Sequence, residues 1–568
     1  KGGGVYSRSA KSIPLSEPVR KALQVDASSL TPSELITAIL KAPVELFWNG
    51  GIGTFVKASN ETHDDADDRV NDALRINADE LRCQVVGEGG NLGLTQRARI
   101  EFARQGGRVN TDFIDNSGGV DCSDHEVNIK ILFNKAMSEG LLDEPQRNQF
   151  LSSMTEEVAR LVLINNYQQS EALSLSEYLA PTLLDEHIRL MRAMERKELL
   201  QRQTWNLPDD ENLSARRSTE QGLTRPELAV LQAFSKIDLY QELLASDAVD
   251  EAYLVNELPI YFPEAIAREY PQHMNNHPLR REIIATFISN SMINRMGMAF
   301  AFRLHEHTGA PIPEIACAYL VTRKVFDLPG LWRQIALLDN QVEASVQLEM
   351  LSTIRRLANQ ATLWLLQNVP RPLDIGTTID KYIDSVTSLI DALPGQVVED
   401  DSEALAQVAQ DYQEQGVPES FAWRMAGLPH LFPALDIVEV SLQTGQSPVY
   451  VAQVFNRLGA ALDLHWLRDQ IDQLSRKEHW TRLARSALRD ELYRLQRLLT
   501  ASVLDFDGTN STDAKRLFEN WQEIHKSVLE RYSRRFVEFK SARVDLALLN
   551  VALNELQKLI RNLDVGDS

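Results

Sequence analysis

Two glycine-rich segments carry the side chains that are best suited to bind a ligand. The first is Val85 to Asn91, with the sequence VVGEGGN, and the second is Asp115 to Ser123, with the sequence DNSGGVDCS. Each follows an apolar, β-prone stretch and precedes a helix-forming run, an order that places a ligand crevice at the carboxyl ends of parallel strands. Glycine permits close approach of the backbone, asparagine donates and accepts, and a helix start offers free N–H groups. The two segments therefore predict a binding crevice, although tight turns without a ligand would give a similar pattern.

The elements around these segments indicate a parallel sheet covered by helices. The predicted strands are 44–48, 82–86 and 109–114, and the predicted helices are 66–76, 94–105 and 123–140. Alternating β and α units are typical of an α/β fold. The last helix is expected to begin at a capping box from Ser123 to Glu126 and to end at Gly140.

Beyond residue 141 the pattern is helical almost throughout, because apolar residues recur at spacings of three and four. Thr224 to Glu227 fits a capping box, and Ser447 before Pro448 fits an N-cap followed by proline at the first helical position. The predicted fold is a partial α/β domain at 1–140 followed by a large all-α helical domain at 141–568. A division of the helical domain into two subdomains is expected near 395–405.

Composition excludes several classes of function. No apolar run approaches the roughly 20 residues of a membrane span, and a formal net charge of −21 lacks the basic surface that nucleic acids and anionic membranes require. The cysteines, Cys83, Cys122 and Cys317, are far apart and fit neither a disulfide framework nor a zinc site. We therefore expect a cytoplasmic protein with no nucleic-acid or membrane partner and no metal.

Other polar side chains have a structural and a functional interpretation. His305 and His307 are two apart on a predicted helix, so they point about 200° apart and are not expected to bind a metal. His125 could transfer a proton, but a histidine that faces solvent or bonds locally at a helix start is the more common situation. Ser123 could cap its helix, or its hydroxyl at the positive helix terminus could hold a carboxylate. No dinucleotide-binding Gly-x-Gly-x-x-Gly turn, phosphate loop or nucleophile elbow occurs in the sequence.

A more specific pattern runs through both segments. It consists of Glu88-Gly89-Gly90-Asn91 with Thr95, then Asp112, Asn116-Ser117-Gly118-Gly119-Val120 and Ser123-x-x-Glu126. This pattern resembles the second half of the nucleotide domain of glutamate dehydrogenases. The stretches 46–58, 83–95 and 110–128 resemble the large bacterial NAD-specific branch of that family, and the helical remainder matches it in phrases such as 222–228 and 277–282. Gly90 stands where the general pattern has alanine, a departure that is expected to leave the role of the turn intact.

The resemblance implies a partial Rossmann-like nucleotide domain and the oxidative deamination of L-glutamate to 2-oxoglutarate and ammonia, with NAD as the cofactor. The cofactor contacts that it implies are Gly89, Gly90, Asn91 and Asn116. The substrate contacts that it implies are Asn116 at the amino end, Val120 in the side-chain pocket and Ser123 at the distal carboxylate. It also implies a homo-oligomer, which is a tetramer in that family.

The family's activating lysine, its proton-relay aspartate and its dinucleotide-binding turn lie upstream of the matched part. No catalytic residue is therefore expected in this sequence, which should be inactive without a segment upstream of Lys1. Two alternatives remain open: a dehydrogenase for another amino acid, against which Ser123 argues, and a helical oligomerisation or regulatory module. Addition of the upstream segment would distinguish them, because turnover favours the enzyme and partner capture without turnover favours the module.

Overall fold

The computed structural model describes residues 4–393, 399–475, 479–505 and 513–564 of the chain. The chain divides into two compact units, Lys1–Phe300 and Ala301–Ser568. All strands in the described residues lie in the first unit, where helices also predominate after residue 110. The predicted fold class, a partial α/β domain with a large helical part, is confirmed.

Seven short strands form three small sheets. The strands are β1 Ile13–Pro14, β2 Ser29–Leu30, β3 Leu46–Asn49, β4 Val56–Lys57, β5 Ile76–Asn77, β6 Val85–Glu88 and β7 Arg108–Val109. Strands β3, β6 and β7 form a parallel sheet in the order β3-β6-β7, β4 and β5 form a parallel pair, and β1 and β2 form an antiparallel pair.

The helices of the first unit are α1 Glu17–Leu23, α2 Pro32–Leu40, α3 Gln96–Arg104, α4 Asp112–Asp115, α5 Ser117–Ser138, α6 Glu144–Ser153, α7 Thr155–Arg196, α8 Asp210–Ser218, α9 Arg225–Leu244, α10 Leu258–Tyr261, α11 Glu264–Glu269, α12 Pro271–Asn275 and α13 Arg280–Met296. Three of them, α3, α4 and α9, contact the main sheet. Apolar side chains of α3, the strands and the residues between them form one buried cluster, which includes Val56, Val86, Leu94, Phe102 and Val109.

From residue 300 onward the described chain is helical. The helices are α14 Phe300–Thr308, α15 Ile312–Val325, α16 Leu328–Ala336, α17 Ala344–Asn368, α18 Ile375–Asp391, α19 Glu399–Glu414, α20 Glu419–Gly427, α21 Ala434–Thr444, α22 Pro448–Ala461, α23 Leu464–Gln473, α24 His479–Asp505, α25 Ala514–Ile524, α26 Lys526–Ser541 and α27 Leu546–Asp564. No single helix in the described ranges is long and apolar enough to cross a membrane. In the same ranges, Glu419–Leu431 and Ala434–Thr444 form a pair bent by 67°. The two segments together, but neither alone, meet the criterion of length and composition.

Several sequence predictions are confirmed at the level of single elements. The strands predicted at 44–48 and 82–86 correspond to β3 and β6, and the helix predicted at 94–105 corresponds to α3. The capping box at Thr224 and the N-cap at Ser447 are both present. The boundary at residue 140 stays a prediction, and the subdomain boundary near 395–405 lies partly outside the described residues.

The helix predicted at 66–76 was wrong. That segment contains two short 3₁₀ turns, Asp64–Ala66 and Arg69–Asn71, followed by strand β5. The Arg75 side chain donates from Nε to the Thr54 carbonyl at 2.8 Å, and the Asp68 carboxylate accepts from the Thr54 N–H, also at 2.8 Å. These side-chain bonds to the backbone compete with helix formation and hold the segment as a compact loop.

The third predicted strand, 109–114, was largely wrong, because β7 ends at Val109 and the single turn α4 begins at Asp112. The Asp112 carboxylate accepts from the Phe113 N–H at 2.9 Å and from the Leu92 N–H at 2.8 Å, so it turns the chain away from the sheet. The helix that follows begins at Ser117 instead of after a capping box at Ser123. Its predicted end is confirmed, since Gly140 has a φ of 74° just beyond the last turn.

Candidate functional site

The two glycine-rich segments meet at the carboxyl end of β6. Strands β3 and β6 run parallel, with Asn49 opposite Glu88, and the turn Gly89 to Asn91 follows directly. The Asn116 side chain, at the junction of α4 and α5, donates from Nδ2 to the Asn91 Oδ1 at 2.7 Å. Two side chains that the sequence predicts at a single site are therefore in contact.

Two carboxylates that sequence reasoning gave no separate role hold these segments together. Asp115 Oδ2 accepts from the Glu88 N–H at 2.9 Å, and Asp112 Oδ2 accepts from the Leu92 N–H at 2.8 Å. Both acids lie in α4 and bond to the backbone on either side of the glycine turn. An acidic pair three residues apart, of which the second opens the second glycine-rich segment, was the available signal for this role.

A buried ion pair between Glu88 and Arg99 lies directly before the glycine turn. Glu88 is fully buried and accepts from Arg99 Nε at 2.7 Å and from Arg99 Nη2 at 2.9 Å, and Arg99 also lies 3.3 Å from Asp112 Oδ1. Burial raises the pKa of the Glu88 carboxyl, and the hydrogen bonds from Arg99 oppose that rise. Glu88 thus joins β6 to α3 and α4 and does not face the site.

The protein's own packing requires glycine at Gly90 and favours it more weakly at Gly89, where the neighbouring group is the end of the exposed Trp48 side chain. A Cβ atom on Gly89 would lie 2.5 Å from Cζ2 of Trp48, and one on Gly90 would lie 2.4 Å from the carbonyl oxygen of Gly51. The resemblance has alanine at the position of Gly90. In this chain the loop that follows β3, here called the β3 loop (residues 50–55), occupies the space that the methyl group of alanine would need.

We expect Gly90→Ala to lower the free energy of unfolding by about 1 to 3 kcal/mol, because overpacking against backbone forces the β3 loop to shift. The matched control is Gly51→Ala, since a Cβ atom at Gly51 would meet nothing within 4 Å. Denaturant melts of the two variants test this. Equal stability of both would contradict the packing role of Gly90.

Asn116, Val120 and Ser123 form one stripe on α5. Their spacings of four and seven residues place them on a single helix face, over about 10 Å of helix length. Val120 is 76% exposed, Ser123 is exposed and Asn116 is half-buried. The stripe begins at the positively polarised N-terminus of a 22-residue helix.

The position of Ser123 corrects its interpretation as an N-cap. The N-cap of α5 is Asn116, and Ser123 lies in the second turn of the helix, where its hydroxyl has no capping function. The Asn116 side chain makes no capping hydrogen bond either. It bonds to Asn91 instead, although an asparagine at this position ordinarily stabilises its helix by about 1 kcal/mol through such a bond.

The interpretation of His125 as a solvent-facing residue was wrong, whereas a local partner, Asp121 on the same helix, is present. His125 is 1% exposed and its ring stacks on Tyr261 with centroids 4.4 Å apart. Burial lowers the pKa of His125 against the opposing charge of Asp121, whose Oδ1 lies 3.8 Å from Nε2. The Tyr261 hydroxyl donates to Asp124 Oδ2 at 2.6 Å. These contacts pack α5 against α10.

One further side chain at this edge had no predicted role. Asn49 ends β3 and is 6% exposed. Its backbone carbonyl oxygen accepts from the Gly90 N–H at 3.1 Å. Its side-chain Nδ2 has no hydrogen-bond partner among the described residues. Within the same residues, no group of His, Cys, Asp and Glu side chains is arranged to hold a metal ion.

Comparison with protein families gives this arrangement a context. The family model described as "Glutamate dehydrogenase, C-terminal" matches residues 220–558, well over half of the chain. The chain belongs to this glutamate dehydrogenase family. A second family model, "Bacterial NAD-glutamate dehydrogenase, catalytic domain", matches residues 1–176, which include every residue of the α5 stripe and the glycine turn.

Individual relatives agree with the family assignment. A protein named NAD-specific glutamate dehydrogenase from Pseudomonas aeruginosa is 44% identical over 568 residues, which cover 100% of this chain and 35% of that protein. Relatives of the same name from Halomonas elongata and Mycobacterium tuberculosis are 41% and 37% identical, over 98% and 100% of this chain and 34% and 35% of those proteins. The chain thus spans about a third of the length of the curated relatives it matches.

Proposed function

We propose that the chain is part of an NAD-dependent glutamate dehydrogenase that converts L-glutamate to 2-oxoglutarate and ammonia. The observation that carries the proposal is the contact between Asn116 and Asn91, at the head of the Val120 and Ser123 stripe. The Asn116 amide bonds to Asn91 and makes no capping bond to α5, so its contact joins the two glycine-rich segments. The names of the relatives support the choice of glutamate and NAD.

The asparagine pair fits the carboxamide end of a nicotinamide cofactor. No hydrogen bond from the described residues uses the Asn116 Oδ1 or the Asn91 Nδ2, so one acceptor and one donor remain for a ligand amide or amino group. Bound NAD would supply the acceptor for the hydride that leaves the substrate. Gly89 and Gly90 bring the backbone to the same place and complete the proposed cofactor contacts.

The α5 stripe fits the side chain of glutamate. Its distal carboxylate would accept a hydrogen bond from the Ser123 hydroxyl, while Val120 provides an apolar wall. Asn116 would orient the amino end of the substrate. We propose that the groups that activate the substrate and move its proton belong to the part of the enzyme outside this chain.

We further propose that the enzyme is a cytoplasmic homo-oligomer, with the tetramer as the state to test. The three cysteines are free, two of them buried and Cys122 exposed, which suits a reducing compartment. Light scattering of the full-length enzyme and a fluorescent fusion would test the two statements separately.

The decisive assay compares the full-length enzyme with this chain alone. We expect glutamate-dependent NADH formation by the full-length enzyme and none by the chain, because the proposed activating groups are missing from it. If the enzyme turns over a branched or aromatic amino acid faster than glutamate, that amino acid is the substrate and the glutamate assignment is wrong. Capture of a protein partner without any turnover would favour a regulatory module instead.

A further inference from the structure

Two amide side chains of α7 bond to groups on both sides of Asn116, the backbone carbonyl of Ile114 and the side-chain hydroxyl of Ser117. Asn166 Nδ2 lies 2.9 Å from the Ile114 carbonyl oxygen and 2.9 Å from the Ser117 Oγ. Gln169 Nε2 lies 2.6 Å from the same Oγ and 3.3 Å from the same carbonyl oxygen. Both side chains are three apart on one face of the helix, so they act on the α4–α5 junction together.

This junction needs support from outside. Helix α4 has only four residues, and isolated helices of that length are not stable in water. Gly118 and Gly119 follow in the first turn of α5, and glycine is the poorest helix former after proline. The position of Asn116 between these two weak turns therefore depends on contacts made by other elements.

A second connection reaches the junction from α9. Arg225, the first residue of α9, donates from Nε to Asn110 Oδ1 at 2.5 Å, and Asn110 Nδ2 donates to Asp115 Oδ1 at 2.6 Å. Arg225 also bonds to the Ser174 hydroxyl of α7 at 3.0 Å. The residues directly before and after Asn116 are thus both tied to helices that lie beyond the sheet.

We propose that Asn166 and Gln169 are positioning residues for the dehydrogenase reaction, acting through Asn116. The inference rests on the proposed function and assigns a role to the first half of α7, which touches no proposed ligand. Their bonds fix where the Asn116 amide points. Because displacement of a reacting pair by about 1 Å can cost on the order of a hundredfold in rate, loss of these bonds should lower turnover more than it weakens substrate binding.

The test uses the double variant Asn166→Leu/Gln169→Leu in the full-length enzyme. We expect kcat to fall by about tenfold or more while KM for glutamate changes less than about threefold. Gln168→Leu is the matched control, since Gln168 lies on the same turn, is equally half-buried and makes no side-chain hydrogen bond with the described residues. Its kcat should stay within about twofold of the wild-type value.

A double-mutant cycle separates positioning from a general structural role. In an Asn116→Ala background, the two α7 substitutions should lower kcat by less than a further twofold, because the group through which they act is gone. The same fold loss in both backgrounds would overturn the inference. So would a wild-type kcat in the double variant.

Gln169→Met covers the case in which the double variant does not fold. It keeps the approximate length of the side chain and removes the amide donor, and we expect at least about a threefold loss of kcat in a protein that still melts cooperatively. A kcat equal to wild type would overturn the inference alone. A wild-type enzyme without glutamate-dependent NADH formation would instead overturn the proposed function on which the inference rests.

Discussion

Asn116→Ala in the full-length enzyme is expected to lower kcat by about a hundredfold while KM for glutamate rises less than about threefold. The proposed task of this amide is orientation, and misalignment of a reacting pair by about 1 Å has an effect of that size. The free energy of unfolding should fall by no more than about 0.5 to 1.5 kcal/mol, because the bond to Asn91 is lost but no capping bond is. Steady-state kinetics and a thermal melt of the same preparation measure the two effects separately.

Asn148→Ala provides the control for Asn116→Ala, since it removes an exposed asparagine on α6 that belongs to no part of the site. Its kcat should equal that of the wild type. If Asn116→Ala also keeps its kcat within about twofold, the asparagine only terminates the turn between α4 and α5, and its proposed place beside cofactor and substrate is wrong.

The meeting of the two glycine segments was predictable from sequence, because it follows from sheet geometry. Parallel strands end at the same edge, so turns that follow neighbouring strands are close in space whatever their exact lengths. The contact of Asn91 with Asn116 survives the wrong prediction of a strand at 109–114, since β7 still pairs with β6. Only the direction of the chain after Val109 was unpredictable from the local pattern.

The true start of α5 depends on distant residues, which is why the sequence placed it six residues late. Gly118 and Gly119 disfavour a helix by local propensity, and Ser123 to Glu126 imitates a helix start. The helix nevertheless begins at Ser117, where the Asn166 and Gln169 side chains bind the junction. Tertiary hydrogen bonds here outweigh the local preference.

The environment of His125 was hidden for the same reason. Its ring stacks on Tyr261, a residue on a separate short helix, and no spacing rule within α5 reveals such a partner. A histidine at a helix start is exposed in most helices, so the local pattern favoured solvent. Burial by α10 removes it from the surface and gives it a packing role.

The structure also sharpens what replacement of Ser123 should do. Because Ser123 lies in the second turn of α5 and not at its N-cap, Ser123→Ala removes no cap, and the higher helix propensity of alanine should leave stability equal or greater by up to about 0.5 kcal/mol. A cap role would have cost about 1 kcal/mol. Any loss of activity in this variant therefore reports on the substrate.

Ser123→Ala in the full-length enzyme is expected to lower kcat/KM for glutamate. The loss of transition-state stabilisation should be about 1.5 to 3 kcal/mol, the range for a hydrogen bond to a charged group. The kcat/KM for uncharged norvaline should stay nearly unchanged. Cys122→Ala is the matched control, because Cys122 is exposed and precedes Ser123, so its side chain lies about 100° from that of Ser123 around the helix. It should keep the wild-type ratio of the two efficiencies. The same ratio in Ser123→Ala would remove Ser123 from the proposed substrate pocket.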